Sequence, residues 1–355
     1  MAAPRFHDLT ITAIRPQTAD GVALTFGVPD KLAEEFEFIP GQYLTLRAIV
    51  GGEDIRRAYS ICSADDAAGL EVGIKRVEGG AFSNFAAELN VGDSIQIMTP
   101  QGQFTAEIGG AHNYLLLASG SGITPCLSIA KSVLAHEPES TITLIYGNTR
   151  TQTMMFREDI NALKDRYTER LQVVHVLSRE QQGVDFLNGR LNGEMVKALN
   201  DRGLISPSDY DAAYLCGPQE MIEEATASLK ELGMKTDAIK FELFTSEGAP
   251  QPVVRRSTTP GNGTAVTIII DGVEKQITVD GSAETVLVAA QRQGLDLPFS
   301  CAGGMCCTCR CKVVEGESEM DVSYSLQEWE IEQGFTLACQ TRPKGTSVTL
   351  DFDES

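Results

Sequence analysis

No run of about 18 apolar residues occurs anywhere in the chain, so no membrane-spanning helix is expected. The opening residues, MAAPRFHDLTITAIRPQT, lack a basic stretch followed by an apolar block, so no secretory signal is read and a cytoplasmic location is expected. Positive charge is scarce. Against 49 Asp and Glu stand 29 Lys and Arg, a formal net charge of −20, which argues against nucleic acid and anionic membrane surfaces as partners. The G-x-G-x-x-G dinucleotide fingerprint is missing, and no internal repeat is found.

What is present is enough for several cores. At 355 residues, 42% hydrophobic and 22% charged, the chain is expected to form two or three soluble domains. Residues 1–108 read as short strands ("LTITAI", "GVALTFGV", "QYLTLRAIV", "RRAYSICS", "LEVGIKRV", "DSIQIMT") with one helix-like stretch, Phe82–Leu89, which predicts an antiparallel β-barrel. Residues 109–246 change rhythm. Near-continuous apolar strands ("NYLLLAS", "TITLIYGN", "LQVVHVLS", "AAYLCG") alternate with helices at Pro125–Ala135, Met155–Tyr167, Glu194–Leu199 and Glu220–Leu232 before a last strand, "IKFELF". That alternation predicts an α/β domain with a parallel, doubly wound sheet. The Pro-, Gly-, Ser- and Thr-rich stretch around 247–262 reads as a linker. Residues 263–355 predict an α+β (β-grasp) domain: a hairpin turning at Asp271-Gly272, a helix at Glu284–Gln293, a short helix near Leu326–Glu332 and a final strand.

Nine cysteines, at 62, 126, 216, 301, 306, 307, 309, 311 and 339, are too many to pass over, and six fall in the last 55 residues. In a reducing cytosol, disulfides are disfavoured. The spacing Cys301-x4-Cys306-x2-Cys309, with Cys339 well downstream, is that of plant-type ferredoxins, whose four thiolates hold a [2Fe–2S] cluster. Zinc sites usually show two separated C-x2-C knuckles, and only one such pair stands here. Gly303 and Gly304 are expected to let the backbone pass close to the cluster, with φ > 0. Cys307 and Cys311 fall outside the ligand pattern: the first reads as a loop residue, the second as a buried one.

Five further motifs resemble the ferredoxin–NADP reductase superfamily. In "RRAYSICS" the resemblance implies that Arg57 pairs with a flavin phosphate, Tyr59 covers the isoalloxazine and Ser60 bonds near flavin N5. In "VEGGAFSNF", Gly79, Gly80, Phe82 and Ser83 would bring backbone amides to the pyrophosphate. In "LLLASGSGITP", Gly120 and Gly122 would admit dinucleotide phosphate to the backbone, with Thr124 and Pro125 opening the helix. "YLCGP" would put Cys216, Gly217 and Pro218 beside the nicotinamide, although Cys216 also reads as a core thiol. "FELF" would close the flavin pocket with Phe244 and set Glu242 near N5. The implied catalytic residues are Ser60, Cys216 and Glu242.

An NAD-preferring domain commonly places an acid at the end of its second strand. Here that strand ends in Arg150 without an acid, and the third offers Ser178 and Arg179, which suits a 2′-phosphate and hence NADPH. Barrel, nucleotide domain and C-terminal ferredoxin, in that order, resemble the reductase components of bacterial multicomponent oxygenases. "PGQYLTLRAIVGGEDIRRAYSICS", "LIYGNTRTQTMMFRE" and "CAGGMCCTCRCKV" narrow the resemblance to reductase subunits of the phenylacetyl-CoA (ring 1,2-epoxidase) type. The resemblance implies FAD, a [2Fe–2S] cluster, NADPH as co-substrate and a di-iron oxygenase component as protein partner. Met154 and Met155 read as packing at a helix start. Residues 263–355 hold fifteen acids against six Lys and Arg, which suits docking on a basic face. The alternatives are an NADH-dependent reductase of a ring-hydroxylating dioxygenase, FMN in place of FAD, and a zinc or redox-sensing tail on a flavoprotein.

Overall fold

The computed structural model describes residues 5–244, 263–281 and 284–354; the linker expected at 247–262 lies outside them. The chain divides into two compact units, a larger one covering 8–55 and 59–244 and a smaller one covering 263–354 together with 5–7 and 56–58.

The first half of the larger unit is all strand because its apolar residues recur every second position. The strands β1 (Phe6–Thr18), β2 (Gly21–Gly27), β3 (Tyr43–Val50), β4 (Glu53–Ser60), β5 (Leu70–Lys75) and β6 (Ser94–Met98) form one sheet in the order β4-β3-β6-β1-β2-β5. A bridge between Ile61 and Val72 joins the two edges and closes the sheet as a barrel. Leu9 and Ile11, Leu24 and Phe26, Val72 and Ile74, and Ile95 and Ile97 point inward in pairs. The helix α1 (Ala81–Phe85) adds Phe82 to this core and continues as a single 3-10 turn, Ala86–Glu88, so the helix expected over Phe82–Leu89 is present.

The second half is a parallel sheet of β7 (Asn113–Ser119), β8 (Thr141–Asn148), β9 (Leu171–Leu177), β10 (Ala212–Gly217) and β11 (Ile239–Leu243), in the order β11-β10-β7-β8-β9. It is wrapped by α2 (Ile123–His136), α3 (Arg157–Arg166), α4 (Gly193–Asp201) and α5 (Gln219–Glu231). Its strands are continuously apolar because both faces are covered. Tyr114, Leu116 and Ala118 of β7 join one core, and Leu115 and Leu117 join the other. The chain enters at β7, winds outward through β8 and β9, then returns to the opposite side with β10 and β11. The order therefore reverses between β7 and β10, and in such sheets ligands bind outside the strand ends at that reversal.

Several helices start about two residues from where the sequence placed them, α2 and α3 among them. α2 begins at Ile123, ahead of Pro125, whose missing N–H is harmless in a first turn. α3 begins at Arg157, after Met155, because Phe156 takes a left-handed conformation (φ 56°) and breaks the helical run.

The smaller unit has β12 (Thr264–Ile270), β13 (Val273–Val279), α6 (Val286–Arg292), β14 (Arg310–Met320), α7 (Glu328–Glu332), β15 (Phe335–Leu337) and β16 (Thr341–Asp351). Its sheet runs β13-β12-β16-β14-β15, with β12 and β16 parallel and the other pairs antiparallel. The hairpin turns at Asp271 and Gly272, both at positive φ, and Asp353 accepts both of their amide hydrogens.

Candidate functional site

The carboxyl ends of β7 and β10 bring together most of the residues singled out for the nucleotide. Gly120 takes φ 56° and opens a single 3-10 turn, Gly120–Gly122, that runs directly into α2. A Cβ at Gly122 would lie 2.2 Å from the Cys216 carbonyl oxygen, so only glycine lets this turn sit against β10. Thr124 donates to the Ser121 carbonyl (3.0 Å), and both Thr124 and Pro125 are buried, so they shape the turn. Beyond β10, the Phe244 amide donates to the Gly217 carbonyl at 2.9 Å, which ties the FELF strand to the C-G-P corner.

At that corner the end of β4 meets the end of β11. The Ser60 hydroxyl donates to Glu242 Oε2 at 3.0 Å. Glu242 keeps some surface open to solvent, yet protein crowds its carboxyl, and this desolvation pushes it up to about 7 against the pull of the Ser60 hydrogen bond. Cys216 is fully buried; desolvation first, and the Glu242 charge next, push its thiol well above the ordinary range. It therefore stays an S–H. Tyr59, next to Ser60, sets its ring 5.6 Å from that of Phe82. Arg57, on the same strand, donates to the Arg56 carbonyl. Gly79 takes φ 71°, and the Ser83 hydroxyl accepts from the Val77 amide and donates to the Gly80 carbonyl. Ser83 thus locks the Gly-Gly turn.

Outside the ends of β8 and β9 lies a pocket of about 350 Å³ lined by Thr149, Ser178, Arg179, Gly189 and Arg190. Ser178 and Arg179 were expected there; Arg150 lies beside Thr149 but outside this lining. Arg190 was not expected: its loop folds back onto the end of β9, where the Gly189 amide donates to the Leu177 carbonyl, and nothing in the local sequence signals that return. Glu180, next in the chain after Arg179, accepts from the Thr151 amide and hydroxyl, both at 2.7 Å, which holds its carboxyl below the ordinary range, while Glu220 lies 3.5 Å from Arg190 at the surface.

In the smaller unit the cysteine loop is already shaped for metal. The Cys301 sulfur accepts from the Gly303 (3.3 Å) and Met305 (3.4 Å) amides, and the Cys306 sulfur from the Cys301 amide (3.4 Å) and the Thr308 hydroxyl (3.2 Å). The left-handed residues are Ala302, Gly304 and Cys307; Gly303 is not among them. The neighbouring Cys306 thiol is chiefly what pulls Cys301 below the ordinary thiol range, and Cys309 and Cys339 are a second such neighbouring pair. The sulfurs thus form two pairs. Four thiolates on one zinc would lie about 3.8 Å from each other. Among the described residues no three cysteine sulfurs come within 4.8 Å of one another. Two pairs fit two irons, two thiolates to each. Cys307 donates instead to Ser325 (3.0 Å), and Cys311 is in the core. Thr308 and Gln340, which donates to Cys339 Sγ at 3.7 Å, are further sulfur partners that ligand spacing could not single out.

A strap follows the cluster loop. The Tyr324 amide donates to the Gly304 carbonyl, and Arg310, just after Cys309, is paired with Glu330 of α7. From Glu315 to Glu332 the strap and the strand before it carry seven acids and no Lys or Arg. Three of these are paired: Glu319 with Lys344, Asp321 with Arg342 and Glu330 with Arg310. Val322, Trp329 and Ile331 are 40%, 48% and 47% exposed between them.

Comparison with known proteins agrees domain by domain. Residues 8–106 match the family described as oxidoreductase FAD-binding domain, 116–227 oxidoreductase NAD-binding domain, and 268–344 2Fe-2S iron-sulfur cluster binding domain. The class is therefore an oxidoreductase that joins flavin, nicotinamide and iron–sulfur domains in one chain. The chain is 43% identical over 98% of its length, and 98% of the relative's, to a subunit of the 1,2-phenylacetyl-CoA epoxidase of Escherichia coli (strain K12). It is 31% identical to the ferredoxin reductase component of 3-ketosteroid-9-alpha-monooxygenase of Rhodococcus rhodochrous, over 97% of this chain and 96% of that one. Phthalate dioxygenase reductase shares the fold, with a TM-score of 0.59 at 22% identity and 98% coverage of each chain. The chain belongs to the family of oxygenase reductase components that includes its Escherichia coli relative.

Proposed function

We propose that this protein takes hydride from NADPH onto FAD and delivers single electrons through a [2Fe–2S] cluster to a di-iron oxygenase that epoxidises the ring of phenylacetyl-CoA. The observation that carries the chemistry is the two-by-two grouping of Cys301 with Cys306 and Cys309 with Cys339; the full-length likeness to the Escherichia coli relative supports the choice of oxygenase. A flavin bound at the barrel supplies the conversion of a two-electron donor into one-electron steps.

The chain's own residues do the rest. The Gly120–Gly122 turn admits phosphate to the backbone at the sheet's reversal point. Arg179, with Ser178 and Arg190, offers positive charge and a hydroxyl to a 2′-phosphate. Glu180, the acid that could have taken a ribose hydroxyl instead, is engaged by Thr151. Glu242 can hold or release a proton near neutrality, and Ser60 orients it. Cys216, kept as a thiol, lines the same corner without adding charge. Amide and hydroxyl donors aimed at Cys301 and Cys306 favour the thiolate state that iron requires. Holding four thiols in that state calls for a reducing compartment, which supports a cytoplasmic location.

Domain limits of 1–108, 109–246 and 263–355, joined by a linker at 247–262, are consistent with the three family matches. Glu315, Glu317, Glu328 and Glu332, which form no ion pair within 4 Å among the described residues, with Trp329 and Ile331 among them, support docking of a basic oxygenase face over the cluster loop. The deciding experiment uses anaerobically purified protein. NADPH should bleach the flavin and raise the EPR signal of a reduced [2Fe–2S] centre, and addition of a phenylacetyl-CoA epoxidase oxygenase should then yield epoxide. A higher kcat/KM with NADH overturns the choice of nucleotide, and no epoxide from an otherwise reduced protein overturns the choice of partner.

A further inference from the structure

Nothing in hydride or electron transfer calls for the run Met154–Arg157, yet the fold uses it to join the barrel to the dinucleotide turn. Phe156 is fully buried in a left-handed conformation that an aromatic residue rarely adopts. Its amide donates to Gln17 Oε1 of β1 at 2.9 Å. Its ring lies against Gly73 of β5 so closely that a Cβ there would sit 2.7 Å from the ring and 2.7 Å from Thr124 of α2. Met155 lies against β2, its Cγ 3.3 Å from where a Cβ of Gly21 would be. From the other side, the fully buried Tyr146 of β8 points its hydroxyl at the Gly120 carbonyl (2.9 Å) and the Met155 carbonyl (3.3 Å). Arg15 of β1 ties down α3, donating to both oxygens of Asp159 (2.7 and 3.1 Å) while also holding Glu71.

One connected path thus runs from barrel strands β1, β2 and β5 through Phe156 and Met155 to Tyr146 and Gly120. We propose that Phe156 and Tyr146 are positioning residues: Phe156 sets the stand-off between the flavin barrel and α2, and Tyr146 holds the Gly120 turn in the shape that receives the dinucleotide. The proposal rests on the reading that NADPH binds at that turn and flavin on the barrel. Neither residue touches the reacting atoms. Gly73 has no side chain because the gap it closes has no room for one.

Two substitutions separate the two roles in the full-length, cofactor-loaded protein. Tyr146→Phe keeps the volume and removes the hydroxyl. It should raise the Kd for the fragment 2′-phospho-ADP-ribose, measured by calorimetry, about tenfold. It should also speed hydrogen–deuterium exchange across residues 120–124. Phe156→Leu, which adds no atoms beside Thr124, should leave that Kd within about twofold, while the limiting rate of anaerobic flavin bleaching by NADPH falls about tenfold or more. If Phe156→Leu does not fold, Phe156→Met should show the same split. Wild-type fragment affinity and exchange in Tyr146→Phe, or a wild-type limiting rate in the Phe156 variant, overturn the proposal. A wild-type protein that neither binds the fragment nor is bleached by NADPH overturns instead the functional reading beneath it.

Discussion

The Ser60 hydroxyl, at the end of a barrel strand, donates at 3.0 Å to the Glu242 carboxylate 182 residues further along the chain. This bond joins the last residue of a barrel strand to the edge strand of the parallel sheet. It also has a sign that can be measured. The carboxyl ionises near 4.5 when unfolded and near 7 when folded, so between those values only the native protein holds the proton. Stability should therefore fall as pH rises from 4.5 to 7, and stay reduced above that. Glu242→Gln should remove the slope, gaining on the order of 1–3 kcal/mol relative to wild type at pH 8 and little at pH 4.5. Urea unfolding of both proteins at the two pH values checks it. Ser60→Ala should shift the Glu242 titration, followed by infrared carboxyl absorption, to higher pH.

Ligand assignment among the cysteines is tested one residue at a time. Serine at 301, 306, 309 or 339 should abolish or severely deplete bound iron and acid-labile sulfide. Cys307→Ser should retain both, because its thiol donates to Ser325. Cys311→Ala should also keep the cluster, with a loss of stability of about 1–2 kcal/mol from a small cavity. Iron held normally by Cys301→Ser would remove that residue from the ligand set.

Nucleotide choice rests on the pocket beyond β8 and β9. Arg179→Ala should lower kcat/KM for NADPH about tenfold while changing that for NADH less than about threefold, since only one of the two carries the phosphate. Equal losses with both nucleotides would move Arg179 out of 2′-phosphate recognition.

The acid-rich strap makes a prediction about the partner. Reversing Glu315, Glu317, Glu328 and Glu332 to lysine should slow oxygenase reduction at least tenfold at low salt, with the difference shrinking as salt rises. NADPH-driven flavin bleaching should be unchanged. The exposed Trp329, the only tryptophan in the chain, gives a fluorescence signal for the same encounter.

Arg310 and Glu330 are a stability test. Nε and Oε1 lie 2.9 Å apart with both side chains buried, although the N–H is not aimed at the oxygen; Arg310 also stacks on Phe335 at 3.6 Å, and Glu330 accepts from the Gln327 amide. Arg310→Met should cost about 3–5 kcal/mol because it leaves a buried carboxylate unpaired, and the double change with Glu330→Leu should restore much of that. Thermal loss of the cluster's visible absorption reports both.

Local chemistry made much of this molecule legible in advance. Period-two apolar alternation before residue 108 and continuous apolar strands after 112 yielded a barrel and a parallel sheet, because side-chain period and face coverage are local consequences of sequence. The spacing of Cys301, Cys306 and Cys309 marked three candidate ligands, because three thiols in one short loop can wrap one cluster. The helix starts were less legible: Phe156 adopts a left-handed backbone only because Gly73 and Gln17 surround it, and both belong to a different sheet.

By itself, then, the order of residues determined the element types, the three kinds of domain and the thiols that can hold iron, since each depends on neighbours within a few positions. Tertiary structure alone decided that Ser60 meets Glu242, that Arg190 joins Ser178 and Arg179, that Glu180 is engaged by Thr151, and that Tyr146 holds Gly120. Those pairings join groups that lie from 11 to 182 positions apart. Their partners are chosen by how the sheets close and where the strand order reverses, which no local pattern encodes.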